Sequence, residues 1–268
     1  PLPRRHRERR AAVGRSGPRM SALLAVEHLG VNYGGLLAAD DVSIEVAPGT
    51  VHSLIGPNGA GKTTIIDALS GFVPGATGRI TLGGRRIDGL PAHGRARAGL
   101  VRTFQSIELF DDLDLRENLL VAAARPRWWS PFLDAVAPRR AMRGIDVDFA
   151  LDAIGLADAA QARPGELSHG RRRLAGVARA LASRPQLVLL DEPAAGLDAD
   201  ETAALGAVLR GLPAAGVGVL LVDHDMSLVL GTSDEVTVVD FGRVIANGSP
   251  AAVRDDPAVI AAYLGSAS

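Results

Sequence analysis

Two short stretches carry residue types whose spacing can do chemistry. The first is GPNGAGKTT at 56–64. Gly56, Pro57, Asn58, Gly59, Ala60, Gly61, Lys62 and Thr63 fit G-x-x-x-x-G-K-[ST], and Thr64 follows. Glycines let a backbone wrap closely around phosphates with its amide N–H groups turned inward. A helix beginning at the end of such a loop adds its positive dipole end. The Thr63 hydroxyl is placed to hold Mg²⁺. Lys62 is the only lysine among 29 Lys and Arg residues. A surface site tolerates a general preference for arginine. A phosphate loop does not, because a planar, forked guanidinium is wider than a compact ammonium on a thin stem.

The second stretch is LVLLDEP at 187–193, an apolar strand that ends in two carboxylates. Asp191 stands where it can bind Mg²⁺, usually through water, and Glu192 where it can polarise an attacking water. An apolar strand running into a solvated turn would look similar. LSHGRRR at 167–173 puts Ser168 and Gly170 at a helix start, which is an anion-binding end or an ordinary N-cap.

The elements that must position these residues are legible in outline. Val42, Ile44 and Val46 alternate with Ser43 and Glu45, the period of a half-buried strand. Residues 50–56 read as a buried strand leading into the glycine loop, and a helix runs from about Gly61 to Gly71. GRITLGG at 78–84 is a short strand with a Gly-Gly turn. Val147, Ala150, Leu151 and Ile154 fall at helical spacing before Gly155, as do Leu174, Val177, Ala178 and Leu181 before Pro185. Residues 107–184 therefore read as a helical insertion. Strands at 186–190, 217–222 and 235–240 then alternate with a helical stripe at Leu205, Val208, Leu209 and Leu212. This rhythm implies a parallel sheet covered on both faces, an α/β fold.

Composition narrows the function classes. A hydrophobic content of 47% with 22% charge predicts a packed core. The absence of cysteine excludes disulfides, thiolate metal sites and cysteine nucleophiles. No apolar run approaches the roughly 18 residues of a membrane span. Residues 1–20 hold seven arginines and one glutamate, while the whole chain carries −1. This basic stretch reads as a solvated tail or linker, with contact to anionic lipid or nucleic acid as the alternative. Residues 21–268 then form the folded domain.

Together, the glycine loop, LSHGR, LLDEP, AGLD (195–198) and VDHD (222–225) stand in the order and spacing of an ATP-binding-cassette (ABC) ATPase, and the resemblance covers about residues 22–265. It implies a P-loop NTPase fold with a RecA-like parallel-sheet core, an antiparallel β subdomain and a helical subdomain, using ATP and Mg²⁺. It also implies that Gln105 senses Mg²⁺ and the attacking water. Ser168 and Gly170 match the signature residues that bind the γ-phosphate held by an opposing subunit. Asp198 matches a loop that communicates across the dimer, His224 a switch histidine and Tyr33 an adenine-stacking aromatic. Arg171 departs from the glutamine usual at the end of the signature, adding positive charge near a phosphate site.

YGGLLAADDVS (33–43), GLVRTFQSIELFDDLDLRENLLVAA (99–123), LDEPAAGLDADET (190–202) and AVIAAYLG (258–265) resemble one branch, the ATP-binding subunits of branched-chain amino acid importers. The implied partners are a second ABC ATPase subunit, identical or related, transmembrane permease subunits and, indirectly, a solute-binding protein, with no nucleic acid. The implied location is the cytoplasmic face of the membrane, peripherally bound. Competing readings are a soluble ABC ATPase without a membrane partner and a regulatory module that only holds nucleotide. A single cassette, and no sustained heptads between Lys62 and Ser168, weigh against the former. Trp128, Trp129 and Phe132 in the helical insertion read as local packing or a permease-docking surface.

Overall fold

The computed structural model describes residues 22–103, 109–123 and 146–265. The basic residues 1–20, Gln105, Trp128, Trp129 and Phe132 lie outside the described residues. In chain order the strands are β1 (Leu24–Tyr33), β2 (Leu36–Val46), β3 (Val51–Ile55), β4 (Thr77–Leu82), β5 (Arg85–Arg86), β6 (Leu100–Arg102), β7 (Leu187–Asp191), β8 (Gly218–Val222), β9 (Glu235–Asp240) and β10 (Arg243–Gly248). The helices are α1 (Lys62–Ser70), α2 (Ala92–Ala98), α3 (Leu115–Ala123), α4 (Val147–Ala153), α5 (His169–Leu181), α6 (Ala199–Gly211), α7 (Met226–Thr232), α8 (Pro250–Arg254) and α9 (Pro257–Gly265).

The strands form a four-stranded antiparallel sheet, β2-β1-β4-β5, and a six-stranded sheet, β10-β9-β3-β8-β7-β6. Within the larger sheet, β3, β6, β7, β8 and β9 pair in parallel. The edge strand β10 pairs antiparallel with β9, a departure from the all-parallel expectation that comes from the tight turn joining them. β10 and α2 also have no counterpart in the periodicity reading, since both carry weak apolar patterns.

Alternation along the central strands divides the core in two. Leu54, Leu187, Leu189, Leu220 and Val222 face α1 and the antiparallel sheet, where Val42, Ile44, Ile65, Ile66 and Leu69 are fully buried. Ser43 and Glu45 point outward, as the alternation predicts. Val51, Ile55, Val188, Leu190, Val219 and Leu221 face the other way, onto α5, α6 and α7. Each leucine fully buried in this way contributes about 1.5–3 kcal/mol. Every described element between β6 and β7 is helical, and the 3₁₀ turns Ala157–Ala159 and Pro164–Glu166 join α4 to α5. Gly155 closes this region's first helical stripe in the left-handed conformation, φ 68°.

His52 is the second residue of β3, fully buried, with Nε2 at 2.8 Å from the Thr237 hydroxyl. Glu235 lies 3.8 Å from Nδ1, but its carboxylate is partly in water, and burial pushes His52 down to about 4 from 6.5. The folded state therefore binds fewer protons than the unfolded chain below pH 6.5. Stability from this residue is complete above that pH and falls as pH drops toward 4, by on the order of 3 kcal/mol in total. Denaturant melts from pH 7 to 4 should show the slope, and His52→Asn should flatten it; an unchanged slope would remove His52 as the cause.

Candidate functional site

The candidate site edge is built by strand register. Leu54 of β3 and Asp191 of β7 both pair with Val222 of β8, so three strand ends stand level. The turns that leave them carry Gly56–Lys62, Asp191-Glu192 and Asp223-His224. In open parallel sheets ligands bind at such C-terminal strand ends, where the loops converge.

The glycine loop is shaped by close approach. A Cβ on Gly56 would meet the Val239 carbonyl oxygen at 2.1 Å, and one on Gly61 the Ala38 carbonyl oxygen at 2.5 Å. Gly61, at φ 98°, caps α1 without a side-chain hydrogen bond, and the first turn has no acidic residue. The amides of that turn are thus offered to an anion from outside the helix. Lys62 Nζ donates to the Gly56 and Pro57 carbonyls at 2.7 and 3.0 Å, which holds the ammonium over its own loop. Burial lowers the pKa of Lys62, and the charge of Glu192 opposes that shift. Asn58, Gly59 and Thr63 are exposed, Ala60 is buried and Thr64 is half-buried. Tyr33, at the end of β1, is 50% exposed and so is no core aromatic.

At the second strand end Asp191 is 12% exposed and paired through Oδ2 with Arg102 Nη2 at 2.8 Å. The same guanidinium bonds Asp67 of α1 at 2.5 Å. Arg102 therefore ties β6, α1 and β7 together under the loop. Glu192 holds a left-handed backbone, φ 47°, which costs a non-glycine residue about 1–3 kcal/mol. Its amide donates to the Val222 carbonyl at 2.7 Å, which stabilises that conformation. His224 Nδ1 lies 4.0 Å from Glu192 Oε1, with the two side chains 64% and 31% exposed. Beneath them, buried Asp223 accepts from the amides of Ala194, His224 and Asp225, locking the turns after β7 and β8 to each other.

Ser168 caps α5, accepting from the Arg171 amide at 3.3 Å, and Gly170 is buried beside it. Arg171 donates to both carboxylate oxygens of Asp158 at 2.7 Å. That pairing holds the Asp158 carboxyl below its usual range, and the added charge expected at the signature is matched by a carboxylate from the preceding 3₁₀ turn. Asp198 caps α6 and forms a reciprocal capping box with Glu201.

The residues that sequence reasoning passed over are Arg102, Asp223 and Glu201. Each lies inside a stretch already singled out, but its partners are distant. Only the Asp198-x-x-Glu201 spacing is a local signal.

The residues present fit a nucleoside triphosphate with a divalent cation. The amides of α1 and Lys62 suit phosphates, and the Thr63 hydroxyl and Asp191 suit a hard oxygen-seeking cation. Such a loop, on a parallel strand level with an Asp-Glu strand end, defines a P-loop nucleotide hydrolase. The family profile described as ABC transporter matches residues 39–195. A second profile, branched-chain amino acid ATP-binding cassette transporter, matches residues 243–268. The high-affinity branched-chain amino acid transport ATP-binding protein BraF of Pseudomonas aeruginosa is 42% identical over 252 residues, covering 91% of this chain and 98% of that protein. Its counterpart LivG of Salmonella typhimurium is 43% identical over the same shares. A crystal structure of an ABC transporter's ATP-binding cassette in its ADP conformation superposes with TM-score 0.78 at 30% identity, covering 92% of this chain and 100% of that one. The chain belongs to the ATP-binding cassette family of ABC transporters, and it is an ATP hydrolase.

Proposed function

We propose that this chain powers an importer of branched-chain amino acids or related polar solutes. The supporting observation is that relatives named for that transport match it at 42–43% identity over nearly all of both chains. The profile named for the same branch also covers the end of the chain.

In this reading the glycine loop, Gly56 to Thr64, takes the phosphates of ATP and Tyr33 stacks on the adenine. Thr63, Asp191 and Gln105 would hold Mg²⁺, which would neutralise charge on the phosphates. Glu192 accepts the proton of the attacking water, and His224 senses the terminal phosphate beside it. Ser168 and Gly170 take the γ-phosphate of a second cassette, and Asp198 reports across that interface. Residues 21–268 act as one cassette with its helical subdomain at about 107–184, and residues 1–20 as a basic tail. Permease subunits would hold the cassette at the cytoplasmic face of the membrane, with a solute-binding protein acting through them. Among the described residues no helix is long and apolar enough to cross a bilayer.

The test is uptake of labelled leucine into vesicles carrying the cassette, its co-expressed permease subunits and the solute-binding protein. The expected result is ATP-dependent uptake that is lost with Glu192→Gln. A cassette that hydrolyses ATP but never copurifies with permease subunits would overturn the transport reading. Uptake of amides or aromatic acids without leucine would overturn the substrate class.

A further inference from the structure

The start of α5 is already engaged by an anion from its own chain. Helices leave their first-turn amides without internal partners. Here the Arg171 amide is taken by Ser168 Oγ, and the Gly170 amide donates to Glu201 Oε1 at 2.8 Å. A Cβ on Gly170 would stand 2.8–2.9 Å from the Glu201 Oε1, Cδ and Cγ atoms, so the carboxylate lies directly against the glycine. The other carboxylate oxygen, Oε2, accepts from the Asp198 amide at 3.4 Å, and Asp198 Oδ1 accepts from the Glu201 amide at 2.8 Å. Arg173 adds a bond to the Ala195 carbonyl at 2.6 Å, fastening α5 to the same loop. One carboxylate thus spans two functional stretches that are 31 residues apart from Gly170 to Glu201.

We infer that Glu201 competes with the γ-phosphate of the opposing cassette for the Gly170 amide and passes the outcome to Asp198. The inference rests on the proposed role of Ser168 and Gly170 in binding that phosphate. A carboxylate and a phosphate are acceptors of one kind, and a single N–H cannot serve both at full strength. When the phosphate takes the Gly170 amide, Glu201 must withdraw Oε1. Its second oxygen is half of the cap on α6, so withdrawal loosens or re-aims Asp198. Occupancy at one stretch is thereby read at the other through a single positioning residue. An isolated cassette stays neutralised at its signature until a second nucleotide arrives.

The experiment uses the cassette assembled with its permease subunits and reads KM for ATP and kcat separately. Glu201→Gln keeps the shape and a weaker acceptor, and Glu201→Ala removes both. Competition predicts a lower KM for both variants, about tenfold for Glu201→Ala, with kcat unchanged or reduced. A merely structural cap predicts the opposite, with KM unchanged or raised as the α6 start frays, and that result would overturn the inference. Ser168→Ala is the control for the underlying reading and should raise KM. If Ser168→Ala leaves KM unchanged, the signature reading itself fails and the inference fails with it. If Ser168→Ala raises KM while Glu201→Gln and Glu201→Ala do not lower it, only the competition is wrong. Thermal melts of both Glu201 variants check that each is folded.

Discussion

Glu192→Gln should still bind ATP while releasing phosphate about 10²- to 10⁴-fold more slowly, the range a positioned general base contributes. Glutamine keeps the size of the side chain and the backbone bond to Val222, so the left-handed turn at this position is retained. What is lost is a group that can take a proton. The carboxylate is 31% exposed, open enough for water, and 4.0 Å from His224 Nδ1. The charge of Glu192 also supports the protonated form of Lys62, so the substitution slightly weakens that support without touching the two carbonyls that hold the ammonium. Nucleotide affinity by fluorescence and phosphate release by a coupled assay separate the two effects. Near-native turnover in the variant would remove Glu192 from the chemistry.

Arg102→Leu should lower stability by about 3–5 kcal/mol, the cost of leaving a buried charge without its partner. The guanidinium is only 9% exposed and spans two carboxylates on different elements. Asp67 keeps some access to water, so most of the penalty falls on Asp191, which is more buried. For a chain of this size the melting temperature should fall by on the order of 10 °C. Arg102→Lys should recover only part, because a point ammonium cannot reach both carboxylates with a planar fork. Calorimetry of the three proteins measures this directly, and a drop under about 2 °C for Arg102→Leu would mean that water already serves the two carboxylates. Arg102 also holds Asp191 directly through Nη2, so the variant should disturb that candidate site carboxylate as well as the fold.

The candidate site residues were legible because their signals are local. The glycine spacing, the lone lysine, the strand ending in Asp-Glu, the Ser168 cap and the alternation of Val42, Ile44 and Val46 all act within a turn or a strand of themselves, and the structure repeats them. Among the elements it added, α2 and β10 carry weak apolar patterns, and the antiparallel edge depends on which strand lies alongside. The arrangement around the candidate site was decided only in three dimensions. Arg102 meets Asp67 and Asp191 across 35 and 89 residues, because the sheet order puts β6 beside β7. Asp223 is buried under the Ala194 turn because β7 and β8 pair in register. Glu201 reaches Gly170 because α5 and α6 start against the same loop. Local chemistry follows from neighbours along the chain, whereas charge pairing and the sharing of one amide depend on neighbours in space, and those come from the packing of whole elements.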